Sequence, residues 1–254
     1  MLQLVTIPCL SDNYAFLVHN ADTRETACVD VPETAPILAA LAERDWSLTD
    51  ILLTHHHPDH IQGVPELVAA TGARVTGAAI DAHRLPPLDR AVAPAERFTL
   101  CGTEAAVIDV SGHTIGHVAY HLPAAAMVFT GDSLMALGCG RLFEGTAPMM
   151  WDSLCRLATL PPETTVCSGH EYTAGNARFA ATIEPGNPAL ISRISAIEAA
   201  RAERRPTVPS MLGEELETNP FLRANHASVK SALGMSGAED AAVFGAIRAA
   251  KDRF

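Results

Sequence analysis

The run Thr54-His55-His56-His57-Pro58-Asp59-His60 places five metal-capable side chains in six consecutive positions, directly after the apolar stretch Ile51-Leu52-Leu53. Alternate residues of an extended segment project to the same side. His55 and His57 can therefore converge on one ion, while Asp59 and His60, beyond Pro58, can turn toward a second. Imidazole nitrogen and carboxylate oxygen are the donors that zinc and similar divalent metals take at catalytic sites. The competing reading is a solvated loop of uncharged histidines, against which both the density and the alternation argue.

Three further candidate ligands lie downstream. His113 sits in Ser111-Gly112-His113-Thr114, Asp132 in Thr130-Gly131-Asp132-Ser133 and His170 in Cys167-Ser168-Gly169-His170. Each comes after a short apolar stretch of strand character, and each has a Gly directly before it. That is the trace of strands delivering side chains to one edge of a sheet through tight turns. Taken singly, each could be an ordinary strand-end or turn residue; the set, together with the first run, points to metal.

Around these residues the chain reads as an α+β fold. Strands are expected at 26–31, 50–54, 74–78, 105–110, 117–122, 127–130 and 164–167. Helices are expected at 35–45, 63–71 and 150–160, with Pro36 and Gly72 placed as start and stop signals. After about His170 the character changes: 189–205, 229–233 and 240–251 read as helix, and no strand is expected there. This predicts a catalytic domain over 1–170 and a small helical domain over 171–254.

The 254 residues are 48% hydrophobic, enough for a sizeable core. No stretch approaches the ~20 apolar residues of a membrane span, and the N-terminus lacks a basic region ahead of an apolar core. A cytoplasmic protein without a membrane partner is expected. The six scattered cysteines suit reduced, mostly buried thiols. The net charge of −11 argues against nucleic acid as a partner. That charge is uneven: residues 1–177 carry 8 basic and 20 acidic side chains, residues 178–254 carry 10 and 9. An anionic ligand would need basic residues placed near its site.

The ligand order resembles that of the metallo-β-lactamase-fold hydrolases, whose T-H-x-H-x-D-H motif is matched in full by Thr54–His60. The resemblance implies an αββα sandwich with a dinuclear site at one edge. By carry-over, His55, His57 and His113 hold one metal and Asp59, His60 and His170 the other. Asp132 bridges them, and His56 stands at a variable position as a non-ligand. Zinc is the default pair of ions, with iron or manganese as alternatives.

Two more stretches resemble the glyoxalase II (hydroxyacylglutathione hydrolase) family: Gly138-Cys139-Gly140-Arg141-Leu142-Phe143-Glu144-Gly145-Thr146 and Gly169-His170-Glu171-Tyr172-Thr173. The C-terminal Arg248-Ala249-Ala250-Lys251-Asp252-Arg253-Phe254 resembles that family's R-x-x-K-D-x-F ending. The resemblance assigns Arg141, Tyr172, Arg248 and Lys251 to the carboxylates and backbone of a glutathione thioester. Phe143, where some members carry Tyr, forms shape only. Arg248 and Lys251, three residues apart, would share a helix face, although basic residues in a last turn also simply favour the helix dipole. The implied reaction is attack by a hydroxide shared between two metals on the thioester of S-D-lactoylglutathione, with Asp59 and Asp132 as catalytic ligands. A glutathione persulfide dioxygenase using a single iron is the alternative on the same scaffold. Asp30, ending an early strand, is a candidate support for the ligands. A monomer is expected.

Overall fold

The computed structural model describes residues 2–254, which divide into two compact units: residues up to Asp109 together with Gly116–Gly131, and Val110–Ile115 together with Asp132–Phe254.

The first unit opens on an antiparallel hairpin, β1 (Leu2–Cys9) and β2 (Asn13–Asn20). β3 (Glu25–Val29) continues it antiparallel, and β4 (Asp50–Leu52), β5 (Arg74–Ala78) and β6 (Arg90–Val92) add in parallel, giving a six-stranded sheet in chain order. Parallel neighbours need crossovers. Helix α1 (Thr34–Arg44) supplies one, and α2 (Pro58–Ile61) with α3 (Val64–Thr71) the next. Gly72, at φ 70°, stops α3 as its position in the sequence suggests.

Side-chain alternation decides which face meets the helices. Leu17, Cys28, Ile51 and Val75 bury against Ile37 and Leu41 of α1 and Leu67 of α3 in one cluster. The opposite face carries Phe16, whose ring lies 5.8 Å from Phe129. Phe129 belongs to a run of four antiparallel strands: β7 (Arg97–Leu100), β8 (Thr103–Asp109), β9 (Val118–Leu122) and β10 (Met127–Gly131). The Tyr120 hydroxyl of β9 donates to the Leu53 carbonyl at 2.9 Å. The first sheet is thus covered on both faces, which is why its strands read as nearly continuous apolar runs.

The second unit holds a tight hairpin, β11 (Leu134–Met135) and β12 (Gly138–Cys139), then α4 (Ala147–Ala158) and β13 (Thr165–Ser168). Five helices are spaced through the remainder: α5 (Thr173–Ile183), α6 (Pro188–Ala202), α7 (Leu212–Thr218), α8 (Ala227–Ala232) and α9 (Asp240–Arg253). One stretch corrects the sequence reading: Ser210–Met211 forms β14, paired antiparallel with β13, in a region expected to hold no strand. Two residues carry no periodicity, so the pairing is a tertiary outcome.

Aromatic rings link these helices. Phe254, Phe179, Phe221, Phe244 and Trp151 form a chain with successive centroids 5.5, 6.0, 6.0 and 6.1 Å apart. Glu215 of α7 is fully buried; it accepts from the Leu137 amide at 2.8 Å and pairs with Arg193 of α6. Asn219 donates to the Met135 and Gly138 carbonyls at 3.1 and 3.0 Å. A buried ion pair and an amide therefore pin the β11–β12 hairpin to the helices. All six cysteines are free and only Cys155 is not fully buried. Burial, partly offset by Arg248, pushes the Cys139 thiol up to about 11. Among the described residues no helix is long and apolar enough to cross a membrane.

Candidate active site

In the first unit the histidine run leaves β4 through Leu53 and Thr54, both buried. Asp30 organises this segment. Its Oδ1 accepts from the Thr54 amide at 2.8 Å, and its Oδ2 from the Thr54 hydroxyl at 2.7 Å. Oδ2 also lies 2.8 Å from Nδ1 of His60, which is itself fully buried. The single hydroxyl proton of Thr54 is directed at Asp30, so the 3.0 Å approach of His55 Nδ1 to Thr54 Oγ1 requires the imidazole to donate. One carboxylate thereby sets two tautomers, His60 directly and His55 through Thr54. In each ring Nε2 is left with the lone pair, as a metal ligand needs. Asp30 sits at φ 57°, a left-handed conformation that Asp tolerates better than most residues.

His55 Nε2 and His57 Nδ1 lie 3.1 Å apart, so the alternation read from the sequence does bring them together. Asp59 opens α2, where a carboxylate suits the helix N-terminus. The Asn13 side-chain amide donates to its carbonyl and to Oδ2, both at 3.0 Å. His56 turns away, as a non-ligand should: its Nδ1 is 3.3 Å from Asp81 Oδ2, and Arg84 Nη2 grips Asp81 Oδ1 at 2.6 Å. Asp30, His55 and His60 could also be grouped as three donors to one ion. Both Asp30 oxygens, however, accept hydrogen bonds from the chain, so Asp30 acts as support.

In the second unit Asp132 Oδ2 lies 3.5 Å from His113 Nε2 and 3.3 Å from His170 Nε2. His113 Nδ1 donates to the Arg141 carbonyl at 2.8 Å, again leaving Nε2 as the donor atom. Both histidines and Asp132 are buried. The loop after β12 is stitched to the His113 segment: the Phe143 and Glu144 amides donate to the His113 carbonyl at 3.2 and 3.3 Å, and the Gly145 amide to Gly112 at 3.1 Å. Gly140 is required by proximity, since a Cβ there would stand 2.1 Å from the Asp132 carbonyl and 2.8 Å from His113 Nδ1.

Exposed aromatic side chains flank this carboxylate. Tyr172 stacks on His170 with centroids 4.6 Å apart and planes at 6°, and Phe143 meets the His113 ring at 5.3 Å and 65°. Tyr172 is 43% exposed and Phe143 64%. Arg141 is exposed and its Nε is 4.0 Å from Asp252. Arg248 is 5% exposed: Nη1 donates to the Cys139 carbonyl and Nη2 to Asp252, both at 2.8 Å, above the Phe221 ring. Lys251 Nζ reaches the Gly175 carbonyl at 3.3 Å and lies over the Phe179 and Phe254 rings. Its pKa is lowered, first by burial and then by Arg248, Arg178 and Arg141, against the opposing pull of Asp252.

Sequence reasoning missed Asn13, Asp81, Arg84 and His117. His117 is buried and stacks on His55 with centroids 4.5 Å apart and planes at 11°. None of the four lies in a motif; only their apposition to the ligand run reveals them.

The metallo-beta-lactamase superfamily model matches residues 17–170 and the hydroxyacylglutathione hydrolase C-terminus model matches 171–254. A hydroxyacylglutathione hydrolase of Cereibacter sphaeroides is 65% identical over 253 residues, covering 100% of this chain and 99% of the relative. Among solved structures, the BLEG-1 B3 metallo-beta-lactamase superposes with a TM-score of 0.68 at 21% identity, over 87% of this chain and 99% of that one. TTHA1623 in a di-iron-bound form has a TM-score of 0.61 at 27% identity, over 87% of this chain and all of that one. The architecture is therefore the αββα sandwich of that fold, followed by a helical C-terminal domain. The fold and these His/Asp sets imply divalent metal ions.

Proposed function

The chain belongs to the hydroxyacylglutathione hydrolase family of the metallo-β-lactamase superfamily, and from that premise we propose that it cleaves S-D-lactoylglutathione and related 2-hydroxyacylglutathiones, releasing D-lactate and glutathione. The physiological setting of this reading is cytoplasmic removal of methylglyoxal by a monomer. His55, His57 and His113 would hold one ion, Asp59, His60 and His170 the second, and Asp132 both, with zinc as the default. Divalent ions bound to such donors supply Lewis acidity and lower the pKa of water toward neutrality.

The chain's own groups do the rest. Asp30 fixes the tautomers of His55 and His60 so that Nε2 of each faces the metal position. Asp59, anchored by Asn13, orients the attacking water and accepts its proton. Water adds to the thioester carbon, the C–S bond breaks, the proton held by Asp59 passes to the departing sulfur so that the peptide leaves as its thiol, and the acyl group leaves as an acid that ionises to the carboxylate in solvent. Tyr172 and Phe143 wall the reacting group, and Arg141, Arg248 and Lys251 hold the peptide carboxylates.

The observation that carries this reading is that the basic side chains are gathered on one unit with His113, Asp132 and His170, in a protein whose net charge is −11. A peptide anion is the ligand such a cluster suits. The test is hydrolysis of several acyl-glutathiones by protein of measured metal content. Turnover with about two divalent ions per chain is the expected result. One iron per chain with oxygen uptake and no thioester cleavage would replace this reading with the persulfide dioxygenase alternative.

A further inference from the structure

Arg178 stands at the basic cluster, and the thioesterase reading gives it no role. It lies on α5 three residues beyond Gly175, so the two share a helix face. Its Nη2 is 3.8 Å from where a Gly175 Cβ would stand. The Gly175 carbonyl is the acceptor for Lys251 Nζ, so the guanidinium and the ammonium meet at one residue.

The four cations here are not equivalent. Arg248 is 5% exposed, with Nη1 given to the Cys139 carbonyl and Nη2 to Asp252. Lys251 is drawn to Gly175 and over two aromatic rings. Asp252 faces Arg141 and Arg248 and is the acidic group that offsets the cations at Lys251. Arg178 is exposed, and among the described residues it has no hydrogen-bond or ion-pair partner. An unpaired guanidinium beside other cations is electrostatically unfavourable until an anion arrives, and its fork matches a carboxylate.

We propose that Arg178 is a carboxylate-binding residue for the peptide part of the substrate, acting with Arg141, Arg248 and Lys251. The inference rests on the glutathione reading. It goes beyond that reading in assigning a binding role to a residue of α5.

The test uses the metal-loaded full chain with two lactoyl thioesters, one of glutathione and one of N-acetylcysteamine, which lacks both peptide carboxylates. Arg178→Gln should raise KM for the glutathione thioester about tenfold, the loss of one charge-assisted hydrogen bond, leave kcat nearly unchanged, and spare the truncated substrate. Arg178→Lys should recover part of the loss. An unchanged KM, or an equal rise for both substrates, overturns the inference while leaving the thioesterase reading intact. If the wild type cleaves neither, that reading falls. Calorimetric binding of S-hexylglutathione then still decides: weaker binding to Arg178→Gln supports the proposal and equal binding ends it.

Discussion

At the scale of single residues the active site depends on who holds each histidine. Asp30 takes hydrogen bonds from Thr54 and His60 at 2.7–2.8 Å, and through Thr54 it also fixes His55. Removing a partner of this kind lowers metal affinity about 10–100-fold in comparable sites. Asp30→Ala should therefore lose metal to a competing chelator about that much more readily, measured as bound metal per chain against chelator concentration. Unchanged retention would show that Thr54 and packing alone orient the rings. His55→Ala and Asp132→Ala should abolish turnover outright. Arg248→Ala should raise KM because the Cys139 carbonyl and Asp252 lose their donor. Unlike Arg178→Gln, it should also lower unfolding stability by about 1–3 kcal/mol, read from urea denaturation. A KM effect without a stability loss would show that the bonds to Cys139 and Asp252 contribute nothing to the fold.

At the scale of elements, Glu215 and Asn219 of α7 and its end tie the β11–β12 hairpin to the helices. Glu215→Ala would leave the buried Arg193 guanidinium uncompensated, a loss of about 3–5 kcal/mol. The expected result is a large fall in the urea midpoint with unchanged slope. Gly140→Ala acts nearer the chemistry, because its methyl would collide with the Asp132 carbonyl and the His113 ring. It should cost metal content as well as rate; full metal occupancy in this variant would contradict the packing argument.

Legibility in the sequence divides along the same lines. The strands leading to His113, Asp132 and His170 were readable because each ends in a Gly-bounded turn, and Arg74–Ala78 falls where expected. The β1–β2 hairpin escaped notice because β2 is buried on both faces and shows no alternation. The two-residue strands are too short for any period. Helix α5 was missed because Thr173-Ala174-Gly175-Asn176 is poor helix-forming sequence whose helicity comes from packing Ala177 and Ala180 against α6. The same weakly helical segment carries Arg178, whose place beside Lys251 exists only once α5 has packed.

At the scale of the whole molecule the question is how a protein of net charge −11 holds an anion. The acidic excess lies before residue 178, while 178–254 is nearly balanced. Arg141, Arg178, Arg248 and Lys251 act together strongly enough that three guanidinium groups depress the Lys251 pKa beyond the effect of burial, with Asp252 as the opposing acid. A lysine held below its ordinary value has lost proton affinity on folding, so an anionic ligand that neutralises its neighbours should raise that pKa and take up a fraction of a proton on binding. Buffers of different ionisation enthalpy should reveal this uptake calorimetrically at alkaline pH. Salt probes the same field. Exposed charges are screened within about 10 Å at 0.1 M salt, so KM for a glutathione thioester should rise as salt increases from about 10 mM to about 150 mM, a several-fold effect on the order of that for other steered anions, while kcat stays flat. Arg178→Gln should flatten this dependence and Arg248→Ala should change it less, because the Arg248 charge is already paired with Asp252. Equal salt slopes in the wild type and Arg178→Gln would mean that the field is set by the other cations and that the exposed guanidinium on α5 takes no part in capture.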